Sequence, residues 1–324
     1  MSGLALVVDR RGATLEEGNH QTVVVRHADG TRERVGIKAL SSVVLNGDVM
    51  VSTHLLRMLA QEGVGVVLLP IRGLAQSVGF TRLPHGMTTL RHAQHLIYAD
   101  ARQRLTVARQ IVLLKLQSQK ELQVRLGCTL RHDPSVIADA VNAAPNIAAL
   151  MGLEGGHAQQ HFACIGARLD AAWRFTRRTR QPPRDPVNAL LSLGYTLAQE
   201  AVAQMALRHG LDLEVGFLHG IQRTRPSLAL DLLEPARAAV EEWVIALIAP
   251  DDGQLTPAAF CQNSSDGCRL EKAGRADFYR CWFAQGQARA VLAARPGLAT
   301  ILRALRQHRS DKNDNADGAE DSEA

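Results

Sequence analysis

The stretch Phe80-Thr81-Arg82-Leu83-Pro84-His85-Gly86-Met87-Thr88-Thr89 separates two sequence patterns, and that change decides the fold class. Before it, from Leu4 to about Pro84, β-branched runs recur at Leu4–Val8, Thr22–Arg26, Arg32–Ile37, Val43–Leu45 and Val64–Leu69. Gly12, Gly18, Gly30, Gly47 and Gly63 punctuate them, as turns between strands require. One helix interrupts the run, with Thr53 as its N-cap, Leu55, Leu56 and Leu59 on one face and Gly63 as its terminator. After the hinge the apolar residues take helical spacing to about residue 308. The pattern predicts an α+β chain, with a mainly β domain over 1–84 and an all-α domain over 85–308.

Helices are expected over 89–126, 135–143, 154–176, 186–209, 228–248 and 272–294, with a last short one from Pro296 to His308. Asp185-Pro186 is a helix start, because the Asp side chain caps free N–H groups and proline costs no hydrogen bond at the first helical position. Residues 309–324 are too polar to build a core and read as a disordered acidic tail.

The chain has 324 residues, 46% of them hydrophobic, which suits two domains. Its net charge of +5 hides an asymmetry: residues 310–324 hold six acids and one Lys, so the body carries +10. Such a body suits a polyanionic partner, although a basic solvated surface has the same composition. Cys128, Cys164, Cys261, Cys268 and Cys281 are odd in number and form no C-x-x-C pair. They read as reduced, mostly buried thiols, with neither a disulfide framework nor a zinc ribbon. No apolar stretch reaches bilayer length and Met1–Asp9 is too short for a signal peptide, so a cytoplasmic protein without membrane partners is expected.

The chemistry-bearing segment is Gly216-Phe217-Leu218-His219, followed by Ser227-Leu228-Ala229-Leu230-Asp231-Leu232-Leu233-Glu234-Pro235. At a spacing of three, Asp231 and Glu234 share one helical face and point toward one centre. Carboxylates set among leucines need partners, and a metal is one such partner. Pro235 bends the helix and frees the Asp231 carbonyl. The bland alternative is an amphipathic helix whose acids pair with Arg223, Arg225 or Arg237, the commoner outcome for a lone D-x-x-E pair. Glu154 lies between glycines in Met151-Gly152-Leu153-Glu154-Gly155-Gly156, where small neighbours permit close approach of a ligand. Read by itself it is a first-turn acid favoured by the helix dipole. Two carboxylates and an imidazole together suit Mg2+ or Mn2+.

Trp173-Arg174-Phe175-Thr176-Arg177-Arg178-Thr179-Arg180-Gln181-Pro182-Pro183-Arg184 holds five arginines and no acid. Arg174, Arg177, Arg178, Arg180 and Arg184 are candidate DNA-backbone contacts, with Trp173 and Phe175 as base-stacking rings, though charge runs are usually solvated surface. His157 with His161, and His92 with His95, read as ordinary helix histidines, the second pair having no acid nearby in sequence. Gly63-x-Gly65 is a strand entry, and neither a Walker loop nor G-x-S-x-G occurs.

Taken in order, Leu40-Ser41-Ser42-Val43-Val44-Leu45-Asn46-Gly47-Asp48-Val49, Leu153-Glu154-Gly155, Arg184-Asp185-Pro186-Val187-Asn188-Ala189-Leu190-Leu191-Ser192-Leu193-Gly194-Tyr195, Gly216–His219 and Ser227–Leu232 resemble the CRISPR-associated protein one family. The likeness runs from Leu4 to about residue 295. It implies a β domain that forms a homodimer, an all-α catalytic domain and a complex with CRISPR-associated protein two. It also implies a metal held by Glu154, His219 and Glu234, with Asp231 as a supporting catalytic acid. His161-Phe162 stands where the family usually has a Tyr or another aromatic pair, Gly220–Thr224 departs from common forms, and the acidic tail has no family counterpart.

The implied activity is insertion of short duplexes with 3′-hydroxyl ends beside CRISPR repeat DNA, by metal-assisted transesterification, with accompanying endonuclease activity. Two rivals stay open. A nuclease would use water at the same centre, and a non-catalytic scaffold would bind DNA whether or not metal is chelated.

Overall fold

A computed structural model of the chain describes residues 4–9, 12–69, 78–80, 88–128, 134–222, 225–263 and 267–320. It divides into two compact units, Met1–Leu83 and Pro84–Ala324. Most of the hinge stretch, 81–87, lies outside the described residues, as does Arg223.

The first unit holds β1 (Leu4–Val8), β2 (Ala13–Gly18), β3 (Thr22–Arg26), β4 (Arg32–Gly36), β5 (Leu40–Leu45), β6 (Val49–Val51), α1 (Thr53–Gln61), β7 (Gly65–Leu68) and β8 (Val78–Phe80). One sheet has the order β1-β5-β7-β8, parallel except for β7 with β8. The other has the order β4-β3-β2-β6, antiparallel except for β2 with β6. Leu6, Leu15, Val23, Val25, Ile37, Val43, Leu45, Leu55 and Leu59 belong to one buried cluster. The side chain that caps α1 is that of Ser52, one residue before the expected Thr53, accepting from the Leu55 N–H at 3.1 Å. Gly63 follows the helix at φ +72°. Strands β2, β6 and β8 were not anticipated. In β2, Ala13-Thr14-Leu15-Glu16-Glu17-Gly18 is poor in strand formers, but its Ala13 and Leu15 are fully buried, so packing overrides propensity.

The second unit is mostly helical: α2 (Thr88–Ala99), α3 (Ala101–Arg125), α4 (Pro134–Ala143), α5 (Ile147–Gly166), α6 (Pro186–Arg208), α7 (Ser227–Leu233), α8 (Arg237–Leu247), α9 (Lys272–Cys281) and α10 (Gln287–Glu320). It is not all α, because β9 (Phe260–Asn263) and β10 (Gly267–Leu270) form an antiparallel hairpin. The expected helix 89–126 breaks at Asp100, whose side chain caps α3 through the N–H groups of Arg102 and Gln103. Asp185 caps α6 with Pro186 in its first turn, as its sequence predicts.

Pro296 does not end a helix but lies inside α10, where Ala294, Leu298, Ile301 and Leu305 are buried on both sides of it. The helix then runs on to Glu320, across most of the segment expected to be disordered. Extending an anchored helix fixes one residue per hydrogen bond and needs no further nucleus. Among the described residues, no helix is long and apolar enough to cross a membrane.

The cysteine expectation is corrected in part. Cys128 and Cys164 form a disulfide, joining the end of α3 to α5, and of the remaining three only Cys268 is buried. Spacing in sequence carries no trace of this bond, since it depends on two helices lying side by side.

Candidate active site

Helices α3, α5 and α7 and the 209–221 loop bring the site together. The loop is wired to α2 and α3: buried Gln94 donates to the carbonyls of Asp212 and Val215, and Arg104 donates to the Phe217 carbonyl at 2.8 Å. At Gly216 a Cβ would sit 2.7 Å from the His219 carbonyl oxygen and from the Ser227 backbone, so only glycine permits this turn.

The turn wraps the carboxylate of Asp231, which is fully buried. The N–H groups of Phe217 and Leu218 donate to Oδ2, and the His219 N–H donates to Oδ1 at 2.9 Å. Asp231 Oδ1 also lies 2.8 Å from His219 Nδ1. A carboxylate there fixes the proton on Nδ1 and leaves Nε2 facing outward. His219 Nε2 stands 4.0 Å from Glu234 Oε1.

Asp231 and Glu234 therefore do flank one group, the imidazole of His219, from its two sides. Asp231 is nevertheless not placed as a catalytic acid: its oxygens are occupied by four donors from the turn it holds, so it is a positioning residue. The helix ends at Leu233, a 3-10 turn covers Glu234–Ala236, and α8 resumes at Arg237. The Asp231 carbonyl that Pro235 was expected to free is taken by the Glu234 N–H.

Glu154 lies two turns inside α5, which starts at Ile147 because the Asn146 side chain caps it through Ala149. The helix-dipole explanation for this acid thus fails, since the dipole acts within the first turn. Glu154 bonds the ammonium of Lys115 from α3, and the same ammonium pairs with Glu234. Arg237 adds a two-pronged ion pair to Glu234, with Nε and a terminal nitrogen each 2.9 Å from an oxygen. Burial pushes the Glu234 carboxyl up, but Arg237 and Lys115 together outweigh it and hold the group well below its ordinary pKa. Side-chain exposure is 26% at His219 and 22% at Glu154 but 4% at Glu234 and 5% at Lys115, so the imidazole and Glu154 form the open side.

The arrangement is two carboxylates sharing one cation, with an oriented imidazole beside them. Among the described residues, no three acid, His or Cys side chains stand close enough to hold a metal as they are, and Lys115 lies between the two glutamates. The donor chemistry suits a divalent cation nonetheless, for the carboxylates already converge on a positive charge.

Behind Glu234 lies a second network, with His161 and Glu241 fully buried at its heart. The Arg237 guanidinium lies over the Tyr195 ring at 4.8 Å, and the Tyr195 hydroxyl donates to Glu241. Glu241 meets His161 Nε2 at 2.6 Å, and His161 Nδ1 meets Gln123 at 3.1 Å. Burial raises the Glu241 carboxyl, but the His161 charge and hydrogen bond, with further help from Tyr195 and Arg237, leave it below its ordinary value. His161 is thus a core residue of a hydrogen-bonded network. His95, expected to lack an acid, faces Asp212 at 3.2 Å from the distant 209–221 loop.

The arginine segment divides. Arg174, Arg177, Arg180 and Arg184 are exposed. Arg178 instead turns inward, donating to Asn188 at 2.8 Å and Ser192 at 3.1 Å and lying over Tyr195. It is withdrawn as a DNA contact, because its donors hold the segment to α6. Trp173 is withdrawn as a stacking ring, since it is buried edge-on against Phe260. Phe175 is half-buried against Phe162.

Sequence reading missed Lys115 and gave Arg237 only as a bland partner. The signal for Lys115 was a lone cation in the apolar run Ile111-Val112-Leu113-Leu114-Lys115-Leu116.

The chain thus joins a unit of two β sheets to a mostly helical unit, in which Glu154 and Glu234 share Lys115 beside His219. The profile of the family described as CRISPR associated protein Cas1 matches residues 6–283, and the chain belongs to that family. Two relatives from Thermus thermophilus, each named a CRISPR-associated endonuclease Cas1, are 32% and 36% identical, covering 86% and 84% of this chain and 83% of each relative. Among solved structures, a Cas1 protein from Thermotoga maritima superposes with a TM-score of 0.79 at 22% identity, covering 93% of this chain and 95% of its own. A casposase bound to integration product gives 0.77 at 19%, covering 87% and 82%. A chain of a Cas6-RT-Cas1–Cas2 complex gives 0.73 at 22%, covering 95% of this chain and 36% of that one.

Proposed function

We propose that this chain is a metal-dependent DNA integrase with endonuclease activity, which inserts short duplexes bearing 3′-hydroxyl ends beside CRISPR repeat DNA. The carrying observation is the convergence of Glu154 and Glu234 on one cation, with His219 Nε2 4.0 Å from Glu234. Glu154, His219 and Glu234 would hold Mg2+ or Mn2+. Bound there, the metal supplies charge that polarises a phosphodiester and stabilises its leaving oxygen.

The chain's own groups do the rest. Asp231 keeps the proton on His219 Nδ1, so that Nε2 is the ring atom offered to the centre. Arg237 fixes both oxygens of Glu234. Exposed Arg174, Arg177, Arg180 and Arg184 offer charge to DNA backbone. The relatives' endonuclease names and the likeness to a casposase on its integration product support the reaction class. The likeness to a chain in a Cas6-RT-Cas1–Cas2 complex supports Cas2 as partner, and in this reading the protein works as a cytoplasmic homodimer.

The test is strand joining by the purified protein with Cas2, a short duplex, a repeat-bearing plasmid and Mn2+, against Glu154→Ala and His219→Ala. Joined product that needs the metal and both side chains is expected. Cutting without joining would replace the integrase by a hydrolytic nuclease, and product that survives both substitutions would dismiss this centre.

A further inference from the structure

Lys115 marks the point where the two glutamates converge but is given no task of its own in the reading above, although its ammonium lies between them. It projects from α3 with its side chain only 5% exposed and pairs with both Glu154 and Glu234. A lysine buried on a helix whose Ile111, Val112 and Leu116 are buried too gives up hydration, which only close carboxylates offset. Two carboxylates drawn to one point also repel each other unless a positive charge lies between them. Arg237 cannot serve both, because its fork is spent on Glu234.

We propose that Lys115 is a built-in counter-ion of the metal centre: it holds Glu154 and Glu234 together in the metal-free protein and sets the metal affinity by competing for both. The inference rests on the reading of Glu154, His219 and Glu234 as the metal-binding set. In this role one ammonium neutralises the pair until a divalent cation takes the carboxylates. The fold thereby avoids an open, unpaired acidic cluster, and metal binds only as tightly as displacement of Lys115 allows.

The experiment is calorimetric titration of Mn2+ alone into wild type and Lys115→Met, together with melting of both proteins in chelator. Methionine keeps the apolar stem out to Cε and removes the charged nitrogen. Expected are Mn2+ binding to Lys115→Met at least about tenfold tighter than to wild type, since one positive charge leaves the carboxylates, and a lower metal-free Tm that Mn2+ restores. A residue with only a structural role would lower the Tm without tightening Mn2+. Wild type that binds Mn2+ beside a Lys115→Met that binds equally or more weakly overturns this inference and leaves the metal reading standing. No binding by either protein overturns both.

Amine labelling of wild type, read by mass spectrometry, keeps the test open if Lys115→Met does not fold. Lys115 should label several times faster with Mn2+ than without it, while exposed Lys272 stays constant. Unchanged labelling at saturating Mn2+ counts against displacement.

Discussion

Asp231 Oδ1 lies 2.8 Å from His219 Nδ1, and the same carboxylate receives three backbone N–H groups from the 217–219 turn. One buried acid thus sets both the path of the loop and the orientation of the imidazole. Asp231→Asn replaces one acceptor oxygen by an NH2 that faces donors. Leaving buried donors unmet costs about 1–3 kcal/mol, and loosening a ring that serves a metal costs roughly 10–100-fold in activity. Urea denaturation and strand joining should register both losses, and wild-type turnover in Asp231→Asn would refute the positioning role.

Arg237 holds both oxygens of buried Glu234 and stacks on Tyr195. Arg237→Ala leaves that carboxylate to Lys115 alone. Breaking a buried ion pair by removing one partner costs about 3–5 kcal/mol, so the urea midpoint should fall sharply. A midpoint within error of wild type would show that Lys115 suffices.

What was legible in the sequence is what is local in the chain. Gly216–His219 and Asp231-x-x-Glu234 are close enough in sequence for spacing to aim both acids at one centre, though only the folded turn sets them on either side of the imidazole, and Asp185-Pro186 announces α6 through its own cap. The division of labour between the two acids was not legible, because Asp231 is defined by backbone donors that only the folded turn supplies. Lys115 was hidden for a similar reason: on an isolated helix it is an ordinary lysine, and only the packing of α3 against α5 and the Glu234 turn makes it a bridge. Arg178 reads the same as Arg177 in sequence, yet one faces Asn188 and the other solvent. The missed strand β2 and the Cys128–Cys164 bond likewise depend on neighbours distant in the chain.

The buried Glu241 yields a prediction in pH. Its folded pKa is lowered from the ordinary 4.5, so its ionised form stabilises the fold above that value, and the contribution fades as pH falls through the lower folded pKa. Glu241→Gln removes this dependence. The stability difference between wild type and Glu241→Gln should be widest near neutrality and shrink below about pH 4.5, followed by urea midpoints at stepped pH. A difference that stays constant into acid would remove the linkage.

The disulfide between Cys128 and Cys164 closes a loop with a sequence separation of 36. Restricting the unfolded chain over such a loop contributes about 2–4 kcal/mol, so Cys128→Ser or a reductant should lower the Tm by an equal amount. The double variant with Cys164→Ser should match the single one, because either change opens the same loop. A reductant that lowers the Tm of the double variant as much as that of wild type would place the effect elsewhere.

Arg178 and its neighbours separate stability from DNA binding. Arg178 spends its donors on Asn188 and Ser192, and burial is the main cause of the lowered pKa of its guanidinium. Arg178→Ala should therefore lower the Tm, since it strips the fully buried Asn188 and the half-buried Ser192 of a partner. Arg177 and Arg180 are exposed, so Arg177→Ala and Arg180→Ala should leave the Tm in place. If they touch phosphate, each should weaken binding to all duplex sequences alike and make the salt dependence shallower by about one unit of log–log slope. Fluorescence anisotropy of a labelled duplex across a salt series, beside thermal melts of the three variants, reads both properties. Unchanged slopes for Arg177→Ala and Arg180→Ala would move the DNA path away from this segment, and an unchanged Tm for Arg178→Ala would return that residue to the surface.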